Sequence, residues 1–299
     1  MPSILPFSAI VGWFDVHERD LPWREPGLSG WHILISEIML QQTPVARVVG
    51  PWQEWVQRWP TPSAMAASSQ ADVLRAWGKL GYPRRALRLH ECARVLATEH
   101  DDRVPEDVAT MLTLPGVGDY TARAVACFAY GQAVPVVDTN VRRVIARAVH
   151  GRAEPGNPSK RDLAETDAIL PRTRRGAYAR DTPRFSAALM ELGALVCTAR
   201  NPDCDRCPVP ECAWVARGRP AHTGPRRAAQ KFAGTDRQVR GLLLDVLRGS
   251  EIPVEKTLLD EVWTTDPPQR SRALDSLLTD GLVEVTADGR FCLAGESGA

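Results

Sequence analysis

No stretch of this 299-residue chain approaches the ~18 consecutive apolar residues that a membrane-crossing helix needs. No membrane association is expected. Residues 1–20 also lack a basic start and a small-residue cleavage site, and acidic side chains arrive by Asp15, so no secretory signal is expected either. Without export, the seven cysteines read as thiols and ligands, and a disulfide scaffold is disfavoured. Residues 1–220 contain no convincing alternating strand pattern and the chain no internal repeat, which argues against β-sandwich, barrel and solenoid architectures. A one-signed charge is missing as well, with 37 Lys+Arg against 36 Asp+Glu. That balance hides an asymmetry: residues 1–232 hold 30 basic and 24 acidic side chains, whereas residues 233–299 hold 7 and 12. The basic body suits a phosphate backbone, and the acidic tail would be repelled by one.

What the chain does contain is helix. Apolar residues recur at three- and four-residue spacing over 31–42, 51–59, 71–79, 84–98, 120–130, 140–149, 162–170 and 184–197. Proline and glycine fall between these stretches, at Pro22, Pro60–Pro62, Gly81–Pro83, Pro105, Pro115–Gly118, Pro155–Pro158, Pro183 and Pro202. Residues 171–184, with five arginines, read as a loop that is either solvated or in contact with phosphate. A main domain is expected over 1–218, a linker over 219–234 and a C-terminal module over 235–299. The module reads as helices near 236–248, 254–263 and 267–279, then strands 282–285 and 290–293 around a turn at 286–289, a winged-helix-like pattern. Its acidity points to a protein contact or a packing role. Length alone leaves oligomeric state open, and a monomer is the default.

Four cysteines, Cys197, Cys204, Cys207 and Cys212, form a C-x6-C-x2-C-x4-C run. Four closely spaced thiolates fit either a four-sulfur zinc site or a four-iron cluster. Zinc sites of this type usually join two C-x2-C knuckles, and only one is present. Cys92, Cys127 and Cys292 stand alone within regular patterns and read as small buried side chains.

Leu114-Pro-Gly-Val-Gly118 joins two expected helices, 106–113 and 120–130. Pro115 ends the first, and Gly116 and Gly118 are free to take positive φ, so backbone N–H groups are presented ahead of a helix N-terminus, a seat for a phosphate oxygen. Twenty residues on, Asp138 in Val134-Pro-Val-Val-Asp-Thr-Asn140 is placed to cap the helix starting near Asn140. Glu37 lies in a helix among Ile33, Leu34, Ile35, Ile38 and Met39; burial of that kind raises a carboxyl pKa and lets it donate a proton near neutral pH.

Taken together, L-P-G-V-G, the later aspartate and the cysteine run resemble the helix-hairpin-helix DNA glycosylase superfamily, over about residues 10–215. The last cysteine gap departs from it, four residues where five are usual. Ser36-Glu-Ile-Met-Leu-Gln-Gln-Thr43 and Leu21-Pro-Trp-Arg24 resemble the adenine-glycosylase branch, and Tyr120 stands where the endonuclease III branch has its Schiff-base lysine. The resemblance implies an all-α fold with a six-helix barrel lobe and an iron–sulfur lobe holding a [4Fe-4S] cluster on the four cysteines. It implies a cytoplasmic, nucleoid-associated, monofunctional enzyme of base excision repair. Its substrate would be double-stranded DNA with adenine opposite 8-oxoguanine or guanine. Glu37 and Asp138 would be catalytic, with Tyr120 and Asn140 ordering sugar and water. Gly116, Val117 and Gly118 would hold phosphate; Arg24 and Glu191 would lie near the adenine. Trp77-Gly-Lys-Leu-Gly-Tyr82 resembles a wedge, with Tyr82 entering the stack and Gln42, Thr43 and Leu80 around it. A glycosylase/lyase of the endonuclease III branch and a cluster-bearing DNA-binding regulator are the competing readings; Tyr120 argues against the first and the acidic tail against the second.

Overall fold

The computed structural model describes residues 5–224 and 232–298; part of the expected linker, 225–231, lies outside the described residues. The described chain is helical apart from one two-stranded antiparallel sheet. The first helices are α1 (Phe7–His17), α2 (Gly30–Leu40), α3 (Val49–Arg58), α4 (Pro62–Ala66), α5 (Gln70–Trp77) and α6 (Arg84–Glu99). Next come α7 (Val108–Met111), α8 (Asp119–Tyr130), α9 (Thr139–Ala148), α10 (Lys160–Ile169), α11 (Thr182–Leu195) and α12 (Ala213–Ala216). The chain ends with α13 (Asp236–Arg248), α14 (Lys256–Asp260), α15 (Pro267–Thr279), β1 (Val283–Val285) and β2 (Phe291–Leu293). The long helices match the spacing expected from sequence. The stretch expected at 106–113 is shorter, a single turn at α7, and α1 was not anticipated.

Two compact units interleave along the sequence. One is built from residues 1–27, 106–112 and 118–226. Its centre is α9 and α11, whose apolar faces meet: Val141, Val144 and Ile145 lie with Phe185, Ala188, Leu189 and Leu192, and α1 adds Ile10 and Phe14. Burying each large apolar side chain contributes ~1.5–3 kcal/mol before cavity terms. Gly193 sets how closely the two helices approach, because a Cβ there would lie 2.6 Å from the Asn140 Cβ.

The other unit comprises residues 28–105, 113–117 and 227–299. Trp55 meets Trp59 edge-on at 4.8 Å and Trp77 at 5.4 Å. Each of these indoles finds an acceptor, Trp55 at the Ala76 carbonyl, Trp77 at the Gly81 carbonyl and Trp59 at the Ser68 hydroxyl, so a polar N–H is not left bare in the core. Helices α13 and α15 pack together beneath the β1–β2 hairpin, which pairs Val283 with Leu293 and Val285 with Phe291. Residues 236–298 fall in the same compact unit as 28–105, with α13 and β2 against α5.

Candidate active site and cysteine loop

In the second unit, Ser29 caps α2 by accepting from the His32 N–H, and Glu37 sits two turns later, 5% exposed among Ile33, Leu34, Ile35, Ile38 and Met39, all buried. The end of α2 is satisfied in an unusual way. Its last carbonyls have no intrahelical donor, and the Arg85 guanidinium supplies one to Ile38 (2.8 Å), Met39 (3.1 Å) and Gln41 (2.6 Å). The other end of the same guanidinium reaches the Thr43 hydroxyl (3.1 Å) and the Gly81 carbonyl (2.9 Å). Gln42 and Tyr82 both have left-handed backbone, at φ 55° and 47°, which side chains other than glycine rarely adopt. Arg85 therefore pins two strained turns to each other. Burial pulls its pKa down to about 10. Leu80 is buried under this loop, while Tyr82 is 45% exposed. Sequence reasoning passed over Arg85.

The turn before α8 keeps one expectation and corrects another. Gly116 does have positive φ, 77°, and a Cβ there would meet the Arg88 Cβ at 2.9 Å, so glycine is required twice over. Gly118 does not: its φ of −102° and ψ of 178° are extended backbone open to any residue. What Gly118 provides is open space at the N-cap of α8, with nothing within 4 Å of a Cβ. The Val117 N–H closes the turn on the Leu114 carbonyl at 3.2 Å, and Val117 itself is buried.

In the first unit, Asp138 is the N-cap of α9, accepting from the Val141 N–H at 2.7 Å, as its position in the sequence suggested. Its other oxygen accepts from the Asn140 amide at 2.7 Å. Burial pushes the Asp138 carboxyl above the ordinary aspartate value, and the Val141 and Asn140 donors pull it part of the way back. Asn140 in turn accepts from Arg143 at 2.6 Å, and Arg143 also donates to the Gly193 carbonyl and, through Nε, to the Cys197 carbonyl, each at 2.6 Å. A continuous line of hydrogen bonds thus joins Asp138 to the backbone of the first cysteine. Tyr120 packs against the cluster of Ala124, Cys127 and Val136.

Glu191, almost wholly buried, takes Arg19 and Arg24 together: Arg19 donates through its backbone N–H and guanidinium, and Arg24 Nη2 stands at 2.9 Å. Burial alone would raise this carboxyl, but the arginine hydrogen bonds dominate and hold it down to about 2. It is a permanent anion and a poor proton donor.

No disulfide joins Cys197, Cys204, Cys207 or Cys212. Among the described residues no three His, Cys, Asp or Glu side chains stand ready as a metal-ligand set. Cys197, Cys207 and Cys212 pack against one apolar cluster, and burial, with the neighbouring thiols adding to it, pushes the Cys207 thiol up to about 11. Arg147 donates to the Cys197 sulfur at 3.5 Å and to the Thr198 carbonyl at 2.7 Å, and its guanidinium lies over Trp214. An all-thiol donor set with a guanidinium against it fits an anionic iron–sulfur cluster. Of the five arginines in 171–184, Arg172 pairs with Asp167 and Arg184 with Asp15, while Arg174, Arg175 and Arg180 are exposed.

Residues 35–165 match the family described as the HhH-GPD superfamily base excision DNA repair protein. Residues 197–209 match the iron-sulfur binding domain of endonuclease III. The chain is similar to an adenine DNA glycosylase of Mycobacterium tuberculosis, 61% identical over 99% of both chains. It is 39% identical to the human adenine DNA glycosylase, over 68% of this chain and 38% of that one. A solved structure of a thermostable thymine-DNA glycosylase superposes with a TM-score of 0.63 at 28% identity, covering 71% of this chain and 95% of that chain.

Proposed function

The chain belongs to the adenine DNA glycosylases of the HhH-GPD base excision repair superfamily and carries an iron–sulfur cluster, and we propose that it hydrolyses the N-glycosidic bond of adenine mispaired with 8-oxoguanine or guanine, leaving the DNA backbone intact. The observation that carries the reading is a pair of buried carboxyls with different partners. Glu37 is enclosed by buried apolar side chains, whereas Asp138, which burial raises above the ordinary aspartate value, is held by two N–H donors that pull it part of the way back toward its anion.

Adenine leaves poorly as an anion and well once protonated. Glu37 delivers a proton to N7, and the C–N bond breaks with its electron pair going to the base. Asp138 stabilises the cationic sugar left behind, by its charge or by transient bonding to the anomeric carbon, until water adds there and gives up a proton to the Glu37 carboxylate. The target must leave the stack first. Tyr82 enters the gap, with Gln42, Thr43 and Leu80 around it, and the backbone amides at Gly116, Val117 and Gly118 hold the neighbouring phosphate. Tyr120 and Asn140 order the sugar and water. Arg24, fixed by Glu191, contacts the adenine. The cluster, held by Cys197, Cys204, Cys207 and Cys212, orders a loop whose Arg200 and Arg206 face phosphate.

The purified protein is expected to release adenine from an A:8-oxoguanine duplex, with strand breaks only after alkali. Borohydride is expected to trap no protein–DNA adduct, because Tyr120 has no amine with which to form an imine. A trapped adduct with the unmodified protein overturns the monofunctional reading. Metal analysis is expected to return about four iron atoms per chain and no stoichiometric zinc. Cys207→Ser is expected to lower the iron content together with DNA affinity.

A further inference from the structure

The acidic C-terminal residues converge on the loop that carries Tyr82. Asp280 at the end of α15 accepts from Arg240 at 2.6 Å and from Arg84, two residues beyond Tyr82, at 3.3 Å. Asp245 on α13 stands 3.4 Å from Lys79. Arg248, largely buried, donates to the Leu74 carbonyl at 3.1 Å, and Arg75 bridges Glu296 and the Ser250 carbonyl, both at 2.6 Å. Loop 77–82 is thus bounded on both flanks by contacts with residues 236–298. The Arg237 guanidinium, at the start of α13, lies 5.9 Å from the centroid of the Tyr82 ring, and Arg85 lies 5.7 Å from it. A cation at that distance over a ring is attracted to it.

The exposed pairs, Lys79–Asp245 and Arg84–Asp280, contribute little by themselves. The partly buried Arg75 and Arg248 contacts, with the apolar packing of α13 and β2 on α5, fix where α13 begins, and hence where Arg237 sits. Tyr82 needs such support. It is an exposed ring on a left-handed backbone between a positive-φ glycine and a proline.

We propose that the C-terminal module is a brace for the DNA-probing loop, and that its Arg237 is a positioning residue that orients the Tyr82 ring for entry into the base stack. Acidity at these positions suits the role, because Asp245, Asp280 and Glu296 pair with Lys79, Arg84 and Arg75 of the loop's surroundings. The inference rests on the reading of Tyr82 as the wedge.

The test uses the full-length protein at saturating concentration on an A:8-oxoguanine duplex, with a stacking-sensitive fluorescent base beside the 8-oxoguanine. Tyr82→Ala, Arg237→Ala, Asp280→Asn and the Tyr82→Ala/Arg237→Ala double variant are compared with the unmodified chain, with thermal unfolding as the folding check. Arg237→Ala is expected to reduce the unstacking signal about threefold, Asp280→Asn about twofold, and Arg237→Ala to have no further effect once Tyr82 is gone. If Tyr82→Ala leaves the signal intact, the wedge reading fails. If Tyr82→Ala removes it while Arg237→Ala and Asp280→Asn do not change it, the brace fails alone. An Arg237→Ala loss that persists undiminished in the Tyr82→Ala background also overturns it, since the arginine would then act on DNA directly.

Discussion

Asp138→Asn is expected to slow single-turnover adenine release by about a thousandfold while leaving the protein folded. The substitution separates two jobs that one carboxyl performs. As the N-cap of α9, Asp138 accepts from the Val141 N–H, and an asparagine oxygen can do the same with nearly equal preference. The cap survives, but the new amide NH2 would face the Asn140 amide donor, so a modest fall in melting temperature is expected. The charge, in contrast, is lost, and nothing else in that hydrogen-bond line can replace it: Asn140 is neutral and Arg143 is a cation. Asp138→Ala should lose the cap as well, costing about 1 kcal/mol of stability in addition to the same fall in rate. Near-normal release by Asp138→Asn, measured by rapid quench on duplex DNA, would show that the residue is only a cap.

The pH profile follows from the same carboxyl, with the sign set by which form reacts. Burial raises the folded value of Asp138 above the unfolded one, so the native state holds the proton more tightly. On that account stability falls as pH rises through the interval between the two values. Activity runs the other way, since the anion is the form that steadies the sugar, and the acid limb of the rate should lie above the usual aspartate range. Asn140→Ala removes one of the donors that pull the value down, so its acid limb should move to still higher pH. An acid limb that does not respond to Asn140→Ala would detach it from Asp138.

How much of this could be read without a structure depended on the distance over which each residue acts. The long helices announced themselves through apolar spacing bounded by proline and glycine. Helix α1 did not, because Phe7, Ile10, Val11, Trp13, Phe14 and Val16 leave no polar face to mark a period, although only Ile10 and Phe14 are buried. Local chemistry was legible too: the Asp138 cap, the need for glycine at 116 and the burial of Glu37 all arise within a few residues. Arg85 was invisible because its acceptors on α2 lie up to 47 positions away, and Arg19 because its carboxylate is 172 positions away. Gly193 has no signature except the Asn140 side chain it makes room for. Gly118 failed for the opposite reason, since the motif suggested a conformational need where the backbone is ordinary and a Cβ would be accommodated.

Glu37→Gln is expected to reduce adenine release about 10²–10⁴-fold, the range usual for losing a general acid. The amide nearly matches the carboxyl in shape, so the substitution removes the transferable proton without opening a cavity in the apolar surroundings of α2. Loss of rate alone would not say where the proton goes. A duplex carrying 7-deazaadenine settles that, because the carbon at position 7 cannot accept it. The unmodified protein should bind this duplex normally yet release its base no faster than Glu37→Gln does, and the two changes together should be no worse than either alone. Such non-additivity is the mark of two groups serving one step. If 7-deazaadenine slows Glu37→Gln as much as it slows the unmodified chain, the side chain at 37 and the purine N7 act independently, and the general acid must be sought elsewhere. Glu191 would be a poor substitute, because two arginines hold it ionised at any pH where DNA remains intact.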